Sequence, residues 1–102
     1  MEAVPTKSLS EITERLRREM PALKNQYRVR SLSVFGSYAR GRQTRRSDVD
    51  VLVEFEEPPG LLEFVRLQNH LRDTIGVKVD LVSKGALRGK IGAHILSETV
   101  PI

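Results

Sequence analysis

The first regular pattern of apolar residues begins near the start of the chain and has helical spacing. Its apolar positions are Leu9, Ile12, Leu16 and Met20. Ser8, followed three residues later by Glu11, matches a capping box and predicts where the helix begins. Pro21 lacks a backbone N–H, so we expect it to end this helix or to restart it.

Three later segments have the pattern of strands rather than helices. Val29–Phe35 alternates and carries β-branched and aromatic residues, which predicts a strand, and Val49–Phe55 is predicted to be a second strand. A Gly-Ser turn and an arginine-rich connection separate them, and the sequence EEPPG at residues 56–60 ends the second. Residues 77–82, VKVDLV, alternate clearly and predict a third strand.

Two further helices complete the predicted order of elements. One face of the first carries Leu61, Phe64, Val65, Gln68, Leu71 and Ile75. Gly76 is well placed to end that helix, and residues 83–96 predict a weaker final helix that contains three glycines. The order α-β-β-α-β-α predicts a single α/β (α+β) domain with a small mixed sheet backed by helices on one face.

Composition removes several classes of function. The chain has 102 residues and no cysteine, which excludes disulfides, thiolate metal sites and thiol catalysis. No apolar segment has the length of a signal-peptide core or a membrane span, so we expect a cytoplasmic protein without membrane contact. The net charge of +4 is concentrated in two arginine clusters, which favour phosphate groups. They are Arg15, Arg17 and Arg18, and Arg40, Arg42, Arg45 and Arg46.

Three aspartates are the candidate catalytic and metal-binding residues. Asp48 and Asp50 are two residues apart at the second strand and are expected on the same face. Such carboxylates repel each other unless a cation neutralises them, and oxygen ligands favour Mg²⁺. If the third strand is adjacent, Asp80 joins them, and three carboxylates can hold two Mg²⁺ about 3.5–4 Å apart for phosphoryl or nucleotidyl transfer. Each acid also has a purely structural explanation, as a loop cap, an exposed strand residue or an edge-strand charge.

The Gly36-Ser37 turn is the candidate nucleotide-binding element. The glycine lets the backbone approach a triphosphate, and the serine offers an N–H group and a hydroxyl. A helical turn beginning at Ser37 would add its N-terminal dipole, while Arg40 or Arg42 could neutralise leaving pyrophosphate. The competing interpretation is a Walker A loop, since Gly36 and Gly41 have its spacing. Against it, arginine and glutamine stand where that loop needs lysine and a hydroxyl residue.

Other candidates are weaker. Tyr38 could stack on a base, but packing is the favoured explanation. His70 lies on the polar side of the second predicted helix, so we expect no catalytic role for it. His94 has no neighbouring ligand set, so we expect no metal binding there. Arg45 and Arg46 could contact an acidic partner or could simply be solvated.

Taken together, these motifs closely resemble the minimal nucleotidyltransferase (MNT) domains of the DNA polymerase β-like superfamily. The family signature is Gly-Ser, ten residues, then Asp-x-Asp, which here is Gly36-Ser37, residues 38–47 and Asp48-Val49-Asp50. The third family carboxylate corresponds to Asp80. The resemblance covers nearly all of residues 1–102 and implies one MNT domain with the polymerase β-like fold.

The resemblance also implies a function. Asp48 and Asp50 would bind both Mg²⁺ ions, Asp80 would bind one and help to deprotonate the acceptor, and Gly36 and Ser37 would bind ATP. Stand-alone members are commonly antitoxins that transfer AMP from ATP to a tyrosine of a partner HEPN ribonuclease toxin, with which a hetero-oligomer can form. The alternatives are a non-catalytic module that neutralises a toxin by contact, or a nucleotidyltransferase acting on RNA or a small molecule. Direct nucleic-acid binding is not expected, because only 5% of residues are aromatic and no recognition-helix pattern is present.

Overall fold

The computed structural model describes residues 8–44 and 46–102. Helix α1 spans Leu9–Tyr27, and its capping box is formed as predicted, with the Glu11 N–H donating to the Ser8 hydroxyl (3.1 Å). The expectation that Pro21 ends or restarts the helix is wrong, because α1 continues through it. Pro21 is exposed, so water can hydrogen-bond to the backbone carbonyl that would otherwise accept from an N–H at position 21. The buried side chains of Leu16 and Leu23 hold the helix against the core before and after the proline.

The sheet has four strands in the order β3-β2-β1-β4. Strands β1 (Val29–Phe35) and β2 (Val49–Phe55) are antiparallel, and β2 is parallel to β3 (Val79–Ser83). The predicted strands are confirmed, although β3 begins two residues later than expected. The fourth strand, β4 (Val100–Pro101), was not predicted and pairs antiparallel with β1.

Helix α2 spans Leu61–Ile75 and ends at Gly76, as predicted. Gly76 adopts a left-handed φ of 72°, and its N–H donates to the Arg72 carbonyl (2.7 Å). The predicted apolar face is only partly correct, because Leu61 and Val65 are exposed. The side chains that α2 buries are Leu67, Leu71 and Ile75.

The end of the chain differs most from the prediction. The expected helix over residues 83–96 is instead a short 3-10 helix, Lys84–Ala86, followed by α3, Gly89–Ser97. Gly89 has a left-handed φ of 62°, which interrupts any continuous helix at that point. Over residues 8–44 and 46–102, no helix is both long and apolar enough to cross a membrane.

The hydrophobic core lies between the sheet and two of the helices. Helices α1 and α2 pack against one face of the sheet, onto which β2 directs Val49, Val51 and Val53. Because side chains alternate along a strand, Asp50 and Asp80 must lie on the opposite face. Helix α3, which lies wholly within the described residues, contributes no side chain to this core. The fold therefore leaves one face of the sheet to carry the polar site.

Candidate active site

The parallel pairing of β2 and β3 brings two of the predicted acids together. Asp50 and Asp80 are direct register partners, and Val49 and Val79 beside them are both buried in the core. Residues that pair across adjacent strands direct their side chains to the same face. Asp48 lies just before β2, so the strand pattern does not by itself fix its direction. The two acid-bearing strands are therefore neighbours, which is the condition that the sequence left open for Asp80 to join the site.

Electrostatics indicate that the other two acids act on Asp50. The pKa of Asp50 is raised from 3.8 to about 6, first by burial and then by the charges of Asp80 and Asp48. The Arg40 guanidinium opposes this change. Asp50 is therefore the centre of the group, with two carboxylates and one arginine close enough to shift its protonation.

The turn that follows β1 is built around the same carboxylate. Gly36 has a left-handed φ of 75°, and a Cβ atom there would overlap Asp50 Oδ2 and lie 3.0 Å from Asp50 Cγ. The sequence suggested that this glycine makes room for a triphosphate. In the structure, the space that its missing side chain leaves is occupied by the Asp50 carboxyl group.

The backbone of this turn has hydrogen-bond donors to spare. The Arg40 N–H donates to the Gly36 carbonyl (3.1 Å), which closes one helical turn where the sequence suggested a turn beginning at Ser37. Within the described residues, the N–H groups of Ser37, Tyr38 and Ala39 have no hydrogen-bond partner. Consecutive free N–H groups in a turn form a concave donor surface suited to an anion.

Tyr38 serves the packing of this loop. Its side chain is 2% exposed and belongs to the hydrophobic core. Burial raises the pKa of its hydroxyl, and the Asp48 charge raises it further. The preference for packing over base stacking is confirmed, and Tyr38 anchors the turn beneath the acids.

The arginines of the loop divide into two kinds. Arg40 forms an ion pair with Glu98 (Nη1–Oε1, 3.2 Å). Arg42 and Arg46 are exposed, and neither forms an ion pair with any residue that the structure describes. Arg45 lies outside the described residues. Arg40 is thus the only arginine predicted to bind nucleotide that the structure ties to the acidic site.

Sequence reasoning missed Glu98 altogether. It lies 58 residues from Arg40 along the chain, and it was in a segment where neither the end of α3 nor β4 was predicted. His94, which was set aside, lies 3.5 Å from the same carboxyl group (Nε2–Oε2). His70 instead links α2 to α1, with its ring nitrogens 3.0 Å from the Tyr27 hydroxyl and 2.7 Å from Glu19 Oε2. His70 therefore has a structural explanation.

The carboxylates of Asp48, Asp50 and Asp80 are suitable ligands for a hard cation, but their present arrangement is not that of a metal site. Over the described ranges, no three histidine or acidic side chains are arranged to hold a metal ion. The half-buried Asp50, whose charge two neighbouring carboxylates disfavour, nevertheless meets the requirement of such a site, since a bound cation would relieve that repulsion. Asp48, Asp50 and Asp80 are the residues that could hold it.

Comparison with known proteins agrees with this geometry. The family model of the nucleotidyltransferase domain matches residues 10–100. A Methanocaldococcus jannaschii protein, provisionally named protein adenylyltransferase MJ0128, is 51% identical over 80% of this chain and 84% of its own length. Protein adenylyltransferase MntA of Thermococcus cleftensis is 43% identical over 91% of this chain and 94% of its own length.

Solved structures share the fold. A chain provisionally described as a minimal nucleotidyltransferase is 37% identical, with a TM-score of 0.76, over 97% of this chain and 100% of its own. A chain from a complex of a tri-AMPylated HEPN toxin of Shewanella oneidensis with an MNT antitoxin is 18% identical, with a TM-score of 0.58. That match covers 91% of this chain and 66% of the other, and at this identity it shows the fold alone. The family resemblance inferred from the sequence is confirmed: the chain belongs to the nucleotidyltransferase domain family.

Proposed function

We propose that this nucleotidyltransferase moves AMP from ATP to a hydroxyl group of a partner protein, with Mg²⁺ as its cofactor. The observation that carries the proposal is the position of Asp50. It pairs in register with Asp80 and lies against Gly36, at the start of a turn with free N–H donors. One small region thus offers acceptors for a cation beside donors for an anion, which is what a metal–triphosphate substrate requires.

The three aspartates would hold the metal. Asp48 and Asp50 would hold two Mg²⁺ ions, and Asp80 would hold one of them. When bound, the ions would neutralise the charge of the triphosphate and polarise the phosphate under attack. The raised pKa of Asp50 supports this assignment, because burial and the neighbouring carboxylates disfavour its charged form and a bound cation would favour it.

The Gly36–Ala39 turn would bind the phosphates. The N–H groups at positions 37–39 and the Ser37 hydroxyl would donate to phosphate oxygens, and each such charge-assisted bond is stronger than a neutral one. Arg40 is close enough to influence Asp50 and would stabilise pyrophosphate as it leaves. Arg42, which is exposed and unpaired among the described residues, could add a second positive charge.

The reaction forms one bond and breaks one. The acceptor hydroxyl oxygen attacks the α-phosphorus of ATP, and the bond from that phosphorus to the pyrophosphate oxygen breaks. The electron pair leaves with pyrophosphate, while the hydroxyl proton is taken by a base. We assign that base to Asp80, the exposed carboxylate that pairs with Asp50 on the open face of the sheet.

The acceptor proposed is a tyrosine of a HEPN toxin, which would make this chain an antitoxin acting in the cytoplasm, where ATP is available. Two comparisons support it. A relative 43% identical is named protein adenylyltransferase MntA, and an MNT antitoxin of the same fold occurs with an AMPylated HEPN toxin.

The direct test is transfer of labelled AMP from ATP to the purified HEPN toxin in the presence of Mg²⁺. We expect Asp48→Asn and Asp50→Asn to abolish labelling. Asp73→Asn is the matched control, because Asp73 is an exposed acid on α2 that pairs with Arg72 (3.2 Å) outside the site. Labelling by Asp50→Asn at the wild-type rate would refute the proposed site. Labelling of RNA or a small molecule, but not of the toxin, would refute the proposed acceptor.

A further inference from the structure

Glu98 contacts an arginine and a histidine beside the proposed site. Its Oε1 atom pairs with Arg40 Nη1 (3.2 Å), and its Oε2 atom lies 3.5 Å from His94 Nε2. The backbone of Glu98 is itself fixed at the end of α3, where its N–H donates to the Ile95 carbonyl (3.1 Å). The carboxyl group is therefore anchored from its own backbone and shared between two partners.

The sheet explains why this carboxyl group reaches the nucleotide loop. Val100 of β4 pairs with Val34 of β1, and the turn that begins at Gly36 follows directly after β1. Because β4 runs antiparallel to β1, the residues just before β4 lie beside the end of β1. Strand β4, which was not predicted from the sequence, thus places Glu98 beside the turn that begins at Gly36.

Arg40 interacts with two sources of negative charge. It forms an ion pair with Glu98, and its charge lowers the pKa of Asp50. Only one guanidinium nitrogen contacts Glu98, which leaves most of the five N–H donors of Arg40 available. Without Glu98, the nearest strong attraction for this side chain would be the carboxylates of the site itself.

We propose that Glu98 is a positioning residue that holds Arg40 at the edge of the site. There the remaining N–H donors of Arg40 can meet the triphosphate, and the guanidinium does not pair with Asp50 where the cation belongs. His94 steadies the second oxygen of Glu98. The inference rests on the proposed function, because it assigns a role to Arg40 in binding ATP.

A double-mutant cycle tests whether Glu98 acts through Arg40. Glu98→Gln removes the charge and keeps the shape, and Arg40→Gln removes the partner. The Arg40 and Glu98 side chains are 47% and 32% exposed, so the effect should be modest. We expect Glu98→Gln to raise the KM for ATP about threefold while kcat changes less than twofold. In the Arg40→Gln background, the same substitution should have no further effect.

Two controls make the result decisive. Glu98→Asp keeps the charge but is one methylene shorter, so it should behave like Glu98→Gln if contact with Arg40 matters. His94→Gln should raise the KM for ATP less than Glu98→Gln or Glu98→Asp does. The inference would be overturned if Glu98→Gln left the KM for ATP unchanged or lowered it. It would also be overturned if Glu98→Gln raised the KM equally in the wild-type and Arg40→Gln backgrounds. Calorimetry of wild-type protein with Mg²⁺ and a non-hydrolysable ATP analogue is the reference: absence of binding there would refute the proposed function instead.

Discussion

Replacing Asp50 by asparagine should stabilise the metal-free protein at neutral pH. Burial and the neighbouring Asp80 and Asp48 charges raise the pKa of Asp50 from 3.8 to about 6. The folded protein therefore holds this proton more tightly than the unfolded chain does. Below about pH 4 the group is protonated in both states and costs nothing, and the cost grows as the pH rises from about 4 to about 6.

The size of the effect follows from the same values. The interval between 3.8 and about 6, at about 1.4 kcal/mol per pH unit, sets an upper bound of about 3 kcal/mol. Asp50 is only partly buried, so solvent screening reduces the expected penalty to about 1–2 kcal/mol. Asparagine has nearly the same shape without the charge. At pH 7.5 without divalent cations, Asp50→Asn should exceed the wild type in free energy of unfolding by that amount.

Urea unfolding between pH 4 and pH 8 measures this difference. The advantage of Asp50→Asn should fade toward pH 4, and Asp73→Asn should show no comparable pH-dependent gain. Added Mg²⁺ should stabilise the wild type and not Asp50→Asn, because a ligand stabilises only the state that binds it. The electrostatic argument would be refuted if Asp50→Asn were less stable than the wild type at pH 7.5. It would also be refuted if the gain in free energy of unfolding over the wild type were the same at pH 4 and pH 8.

Three further substitutions test the turn and the third acid. Gly36→Ala should cost more stability than Gly41→Ala and should abolish transfer; both glycines have positive φ, but only a Cβ at 36 meets Asp50. Urea unfolding and AMP transfer compare the two variants, and equal costs with retained activity would exclude the proposed contact. Ser37→Ala should weaken ATP binding about three- to tenfold by calorimetry, since it removes one hydroxyl donor and keeps the backbone N–H. Asp80→Asn should abolish transfer while toxin binding, followed by size-exclusion chromatography, stays unchanged; loss of the complex would count against its assignment as a base.

Local patterns were enough to predict most of the fold. The capping box at Ser8, the strand composition of β1 and β2, and Gly76 at the end of α2 are all local signals, and the elements that they predicted are confirmed. Pro21 misled because its effect depends on which side of the helix faces water, a property of packing. Strand β4 escaped because two residues, one of them proline, carry no periodic signal.

The site divides in the same way. The spacing of Gly36-Ser37 and the aspartates drew attention to this region, and the parallel pairing of β2 with β3 is what brings Asp50 and Asp80 together. Two features of the site could not be predicted from the sequence. Gly36 leaves room for a carboxylate, which depends on how the turn folds back over β2. Glu98 meets Arg40 only because the end of the chain returns to the sheet.

The most direct test of the central claim is whether neutralisation of the HEPN toxin is catalytic. A small amount of this protein, with ATP and Mg²⁺, is incubated with a large molar excess of toxin and then removed. We predict that the toxin remains inactive and that mass spectrometry finds AMP on a tyrosine, because a phosphodiester outlasts the contact that formed it. Neutralisation that requires equal amounts of the two proteins, proceeds without ATP and leaves the toxin mass unchanged would contradict the account.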